Sequence, residues 1–216
     1  MMRIITISRE FGSGGRELGK RLAEELDFAY YDKEILSMIS ERMQMDEDYI
    51  EKELNKSITI TYPYTIRRSF YQTPSQVNQV SKLLAEQNKI ICSLAEKEDC
   101  IIVGRGADAI LREHDPFSLF IYADQASKVA RCRSRAHKEE RLSENELKRK
   151  MKQIDKSRAA VYALVSEYSW GDKKAYQLCI NTSGIMIPQM VSSLADFAKI
   201  WFERNKTDGN SIIGSL

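Results

Sequence analysis

The sequence predicts an α/β fold with a five-stranded parallel sheet flanked by helices. Three observations carry that prediction. Short β-branched and apolar runs alternate with longer amphipathic runs, the pattern of strands joined by helical crossovers. Turn-forming residues open or close those runs, at Gly104, at Pro116 and at Asn181 to Gly184. A length of 216 residues with 43% hydrophobic and 30% charged residues suits one globular domain. A chain of that size buries roughly 70% of its unfolded surface and needs no staple.

Each element follows from its residues. Ile4-Ile5-Thr6-Ile7 is short and β-branched, as a buried strand is. After a glycine-rich turn, Leu18, Leu22 and Leu26 recur every four residues and define one face of a first helix. Phe28 to Tyr31 reads as a second strand and Lys33 to Met43 as a second helix. Ile101-Ile102-Val103, Phe117 to Tyr122 and Leu178-Cys179-Ile180 supply the third, fourth and fifth strands. A last helix is expected from Ile187 to Arg204, followed by a fraying polar tail over 205–216.

Two stretches depart from the alternation. Residues 44–76 are rich in Thr, Tyr and charge, and residues 137–171 read as a long charged helix. In the second stretch Ser143-Glu144-Asn145-Glu146 forms a capping box. Its apolar stripe runs Leu147, Met151, Ile154, Val161, Val165 and Tyr168, and Arg158 stands between Ile154 and Val161. A permanent charge on an inward stripe is costly without an anion. Either Asp155 pairs with it or it reaches a phosphate.

Composition narrows the function. With 33 basic and 31 acidic residues the formal net charge is +2, which disfavours nucleic-acid or membrane binding driven by bulk charge. Cys92, Cys100, Cys132 and Cys179 form no Cys-x-x-Cys pair, and His114 and His137 are far apart, so a zinc site is not expected. Arg9 and Glu10 end the first apolar run too early for a signal peptide, and no run suits a membrane span. The expected setting is cytoplasmic, with reduced thiols.

The most informative segment is Ser8-Arg9-Glu10-Phe11-Gly12-Ser13-Gly14-Gly15-Arg16-Glu17, between the first strand and the first helix. Gly12, Gly14 and Gly15 let backbone N–H groups approach a ligand, and the helix N-terminus behind them adds unpaired donors and partial positive charge. Together they make a phosphate cradle, while a tight turn without a ligand is the plainer alternative. A standard phosphate loop reads G-x-x-x-x-G-K-[ST]. With Gly14 as its second glycine, Arg9 stands at the first glycine, Gly15 at the lysine and Arg16 at the hydroxyl. Arg16 could restore the missing charge through its bidentate fork, or could simply pair with Glu10 or Glu17.

At this point the sequence resembles the cytidylate kinase-like family. The segment Ser8 to Arg16 resembles that family's opening signature. Four further segments agree in order: Tyr30 to Glu34, Ile102 to Asp108, Trp170-Gly171-Asp172 and Leu178 to Ser183. The resemblance implies a three-layer P-loop kinase fold over 1–204, with a helical monophosphate-binding insertion at 44–76 and a lid with its long helix at 131–171. It implies ATP and Mg2+ as cofactors and a small-molecule nucleotide as substrate.

The resemblance also distributes roles. Gly12, Ser13, Gly14, Gly15, Arg16 and Glu17 would cradle the donor phosphates. Asp32 falls in the segment that lines the monophosphate site, and it is equally placed to cap the second helix. Arg105 matches an arginine that faces the acceptor nucleotide, and Asp108 lies just beyond it. Lys128, Arg131 and Arg135 share one helix face behind the capping candidate Asp124, and Arg131 matches the lid entry. Arg158 matches an arginine returned by the lid, so Arg16, Arg131 and Arg158 are the candidate catalytic cations. Residues Tyr62 to Tyr71, with Arg68, interleave aromatic and basic side chains. They suit a closing substrate flap, and equally a surface flap or a homodimer contact. The resulting expectation is transfer of the γ-phosphoryl of ATP to a nucleoside monophosphate or similar phosphorylated small molecule. The missing lysine leaves a second expectation, a weak or inactive nucleotide-binding sensor.

Overall fold

In the computed structural model, residues 2–55, 74–136 and 142–207 are described. Five strands form one all-parallel sheet in the order β2-β3-β1-β4-β5: β1 (Ile4–Arg9), β2 (Ala29–Tyr31), β3 (Cys100–Val103), β4 (Phe117–Tyr122) and β5 (Leu178–Asn181). Eight α-helices are described: α1 (Gly15–Leu26), α2 (Glu34–Met43), α3 (Glu47–Asn55), α4 (Pro74–Lys97), α5 (Ala107–Ile110), α6 (Gln125–Arg135), α7 (Glu144–Tyr162) and α8 (Val191–Thr207). No helix among the described residues is long and apolar enough to cross a membrane.

Strand side chains alternate between two helical layers, as the period-two geometry of a strand requires. Ile5 and Ile7 of β1, Ile101 and Val103 of β3, and Phe117, Leu119 and Ile121 of β4 face one way. They are buried against Leu18 and Leu22 of α1 and Leu194, Ala195 and Ala198 of α8. Ile4, Cys100 and Ile102 face the other way, against Ile35 and Ile39 of α2, Ile50 of α3 and Leu83, Ile90, Ile91 and Leu94 of α4. On that second face the centre of the sheet is polar. The Thr6 hydroxyl donates to Ser118 Oγ at 2.8 Å, and the next inward residue, Ser8, donates to Asp108 at 3.2 Å.

Because every strand runs the same way, all five C-terminal ends lie along one edge. Chain order reverses there around β1, with β3 on one side and β4 on the other. Open α/β sheets place their ligand crevice at such a switch point.

The helix boundaries refine the sequence reading. Ser143 caps α7 in a full capping box with Glu146, and Asp124 caps α6 by accepting from the Ser127 amide at 2.6 Å. Yet α7 ends at Tyr162, so Val165 and Tyr168 do not extend the helical stripe. Val165 instead packs over Gly106, and Tyr168 lies under the Arg112 guanidinium. The final helix also begins later than expected, because a 3-10 turn occupies Ile187–Met190. The sequence pattern marks no element at 77–99, where most of α4 lies.

Candidate active site

The glycine turn closes β1 onto α1. Gly12 and Gly14 take φ of 79° and 89°, a region where only glycine sits without strain. Among the described residues, the amides of Gly12, Gly14 and Gly15 donate to no acceptor. These free donors, beside the N-terminus of a 12-residue helix, have the chemistry of a phosphate cradle. They open into a cavity of about 770 Å³, walled opposite by Cys132, Arg135, Leu147 and Lys150.

The basic face of α6 braces this loop. Lys128 Nζ lies 2.9 Å from Glu10 Oε2, and Arg135 pairs with Glu17. Arg131 donates to the carbonyls of Gly12 and Ser13 at 3.4 and 3.2 Å, to that of Ile185 at 3.1 Å, and to that of Thr182. In this arrangement Arg131 holds the loop against the turn after β5 and does not line the cavity. Thr182 Oγ1 adds a bond to the Ser13 carbonyl at 2.7 Å.

A second cavity, of about 610 Å³, opens on the other side of the loop. Its wall includes Asp32 and Lys33 after β2, Glu51 of α3, Arg105 after β3, and Tyr162 and Trp170. Asp32 does not cap α2: its carboxylate turns to two arginines, Arg16 Nε at 2.5 Å and Arg9 Nη2 at 3.5 Å. Arg16 thus pairs with Asp32, and neither Glu10 nor Glu17 is its partner.

Arg105 sits in a turn where Gly104, Arg105 and Gly106 all have positive φ, 82°, 62° and 67°. For arginine that conformation is strained, and such strain concentrates at functional sites. Gln87, buried in α4, fixes the turn by donating to the Arg105 carbonyl at 3.2 Å. Burial pulls the Arg105 guanidinium below its ordinary pKa, and Glu51 and Asp32 only partly offset that. Among the described residues it has no ion-pair partner, so it is a half-buried cation facing a cavity.

Of the two contacts the sequence offers Arg158, the one with Asp155 is made. Its Nη1 donates to Asp155 at 3.2 Å and to the Arg9 carbonyl at 2.9 Å, and the side chain lines both cavities. Asp155 in turn accepts from the Phe11 amide at 2.7 Å. Desolvation pushes the Asp155 carboxyl up and the Arg158 guanidinium down. Asp108 lies beneath the 610 Å³ cavity and not on its wall. It accepts from Tyr162 at 2.6 Å and from Ser8, and burial raises its pKa. Its contacts position two wall residues. Arg68 and the Tyr62 to Tyr71 segment lie outside the described residues.

Arg9, which the sequence places among the basic residues at the cleft edges but gives no individual role, also belongs to the site. It lines both cavities, together with Phe11, Arg16 and Arg158. Burial, and then the charge of Arg158, pulls its guanidinium down to about 9. Four guanidinium groups thus crowd around Asp32 and Asp155, and the junction has an excess of positive charge. An anion is the natural complement. Inorganic phosphate is therefore expected to raise the melting temperature saturably, by about 5 °C or more near 100 times Kd. A flat response, measured against sodium chloride of equal ionic strength, would remove the anion site.

This geometry is that of a P-loop kinase fold with two cavities that meet at the end of β1. The cytidylate kinase-like family matches residues 4–184, and the chain belongs to that family. Among solved structures it is similar to an uncharacterized protein from Eubacterium ventriosum. The identity is 26% and the TM-score 0.65, over 92% of this chain and 99% of that one. It is also similar to shikimate kinase from Bacteroides thetaiotaomicron. There the identity is 16% and the TM-score 0.55, again over 92% of this chain and 99% of the other. A comparison with curated proteins finds no match.

Proposed function

We propose that the protein is a phosphotransferase that moves the γ-phosphoryl of ATP to a nucleoside monophosphate or a similar phosphorylated small molecule. One observation carries this reading. The cavity at the glycine loop and the cavity at Asp32 and Arg105 share a boundary of Arg9, Phe11, Arg16 and Arg158. A donor on one side and an acceptor on the other would meet at three cations. Phosphoryl transfer asks for that arrangement, since its catalysis is alignment and charge neutralisation.

In this reading Gly12 to Glu17 hold the donor phosphates and Arg105 grips the acceptor phosphate. Arg16 and Arg158 neutralise the group in transfer, while Arg131 keeps the loop in shape. Asp32 orients Arg9 and Arg16, and Asp108 orients Ser8 and Tyr162. An acceptor phosphate oxygen is already deprotonated at neutral pH, so the reaction needs no general base. The described residues hold no cluster of three metal-ligating side chains. Magnesium would therefore be carried mainly by the nucleotide phosphates, as is usual for this ion.

The test is ADP formation by the purified chain with ATP, magnesium and a panel of nucleoside monophosphates, read against acceptor-free controls. An acceptor-dependent rate is expected. Gly15 at the lysine position favours a second reading, a nucleotide sensor without turnover. Stabilisation by ATP with no acceptor turned over would select it, and no response to any nucleotide would reject both.

A further inference from the structure

We propose that Arg9 is the cation that takes the place of the missing phosphate-loop lysine, so that glycine and cation have exchanged positions across the loop. The proposal rests on the kinase reading above and deepens it.

The argument begins with space. In a standard loop the first glycine ends the strand and the lysine opens the helix. Here Arg9 ends β1 and Gly15 opens α1. A Cβ built on Gly15 would lie 2.6 Å from Arg9 Cβ and 3.0 Å from its Cγ. Arg9 Cβ is fixed to the backbone and cannot swing away. A side chain can therefore start from position 9 or from position 15, but not from both. A Cβ on Gly104 would lie 1.9 Å from Arg9 Nη1, so a second glycine makes room for the far end of the same side chain.

Position comes next. Arg9 lines both cavities, and its side chain is 16% exposed. Arg16, the residue nearest the lysine in sequence, has a side chain 55% exposed and reaches the shared carboxylate of Asp32 from outside. A buried cation acts in a lower dielectric and is already in place, so it neutralises developing charge more effectively than a solvated one. Arg158 steadies Arg9 through the Arg9 carbonyl, and Asp32 holds its guanidinium at 3.5 Å.

The chemistry is unchanged by the exchange. An acceptor oxygen forms the new bond to the γ-phosphorus as the bond to the bridging oxygen of the β-phosphate breaks. ADP leaves with that electron pair. Arg9 gives up no proton and only contacts the oxygens of the moving group.

The test is a swap in the full chain, with ATP and magnesium as the probe. It reads ATP affinity by calorimetry, and kcat and KM with the fastest nucleoside monophosphate of the panel. R9A is expected to lower kcat by about 100-fold, the usual cost of one transition-state donor, while R16A costs less. R9K, which keeps the charge and is the milder change for folding, should retain more activity than R9A. G15K alone should be impaired, because its side chain collides with Arg9. The double variant R9G/G15K restores the standard order and should exceed R9G by at least about tenfold, a coupling of the kind a double-mutant cycle isolates.

R9A within threefold of the wild type, or G15K unimpaired and R9G/G15K no better than R9G, overturns the role of Arg9 and leaves the kinase reading standing. A wild-type chain that neither binds ATP nor forms ADP overturns both. If the wild type binds ATP without turnover, affinity decides: a tenfold loss in R9A supports the proposal, and no loss overturns it.

Discussion

Phe117→Ala is expected to cost about 3–5 kcal/mol of stability, the range for emptying a fully buried aromatic site. Phe117 begins β4 and is 0% exposed. Its ring packs at 5.6 Å from Phe197, 5.5 Å from Trp201 and 6.5 Å from Phe202. All three belong to α8, so one side chain joins the central sheet to the helix that closes one face. Thermal unfolding should shift down on the order of 10 °C for a chain of this size. The site lies at the other end of the strands, so kcat measured well below the transition should be nearly unchanged. A shift under about 2 °C would mean that α8 repacks freely.

The elements most legible in the sequence are those whose burial is uniform. Ile4 to Ile7 and Ile101 to Val103 are covered on both faces, and a continuous β-branched run is the mark of that environment. The long helix α4 is less legible because its buried stripe is broken by a polar residue. Gln87 stands between Leu83 and Ile90 and is 1% exposed, because its side chain ties down the turn at Arg105. The end of α7 was hidden for the opposite reason. Val165 and Tyr168 keep helical spacing, yet tertiary contacts to Gly106 and Arg112 draw the chain onto the segment that follows β3 instead.

The site divides along similar lines. The glycine loop, Asp32, Arg105 and Arg158 could be located from motif and periodicity, since each follows a strand or interrupts an apolar stripe. What each side chain touches depends on distant segments. Asp32 serves Arg9 and Arg16 where a local reading offers a helix cap. Arg131 spends its donors on carbonyls of the loop and of the turn after β5. The sequence marks Arg9 as an arginine at a glycine position and as one of the basic residues at the edges facing one cleft, without giving it a role. Its importance follows from the packing of two backbones that bring it beside Gly15 and Gly104.

Arg158→Ala is expected to lower kcat for phosphoryl transfer by about 10²–10³, with a smaller change in KM. Arg158 reaches the boundary of the two cavities from α7 and is the cation there that does not come from the loop itself or its flanks. Its guanidinium has five N–H donors, and among the described residues Nη1 alone is committed, to Asp155 and to the Arg9 carbonyl. The remaining donors can meet the equatorial oxygens of a phosphoryl group in flight. Such contacts strengthen as charge spreads in the transition state, so their loss falls on kcat. Truncation also leaves the Asp155 carboxylate without its cation, and about 1–3 kcal/mol of stability should go with it. Arg158→Lys separates the two effects. A lysine restores a charge near Asp155 and most of the stability, but it lacks the fork and should recover little of the rate. Equal recovery of both would mean that Arg158 acts by supporting the fold. Steady-state kinetics and thermal melts on the same two variants decide between these outcomes.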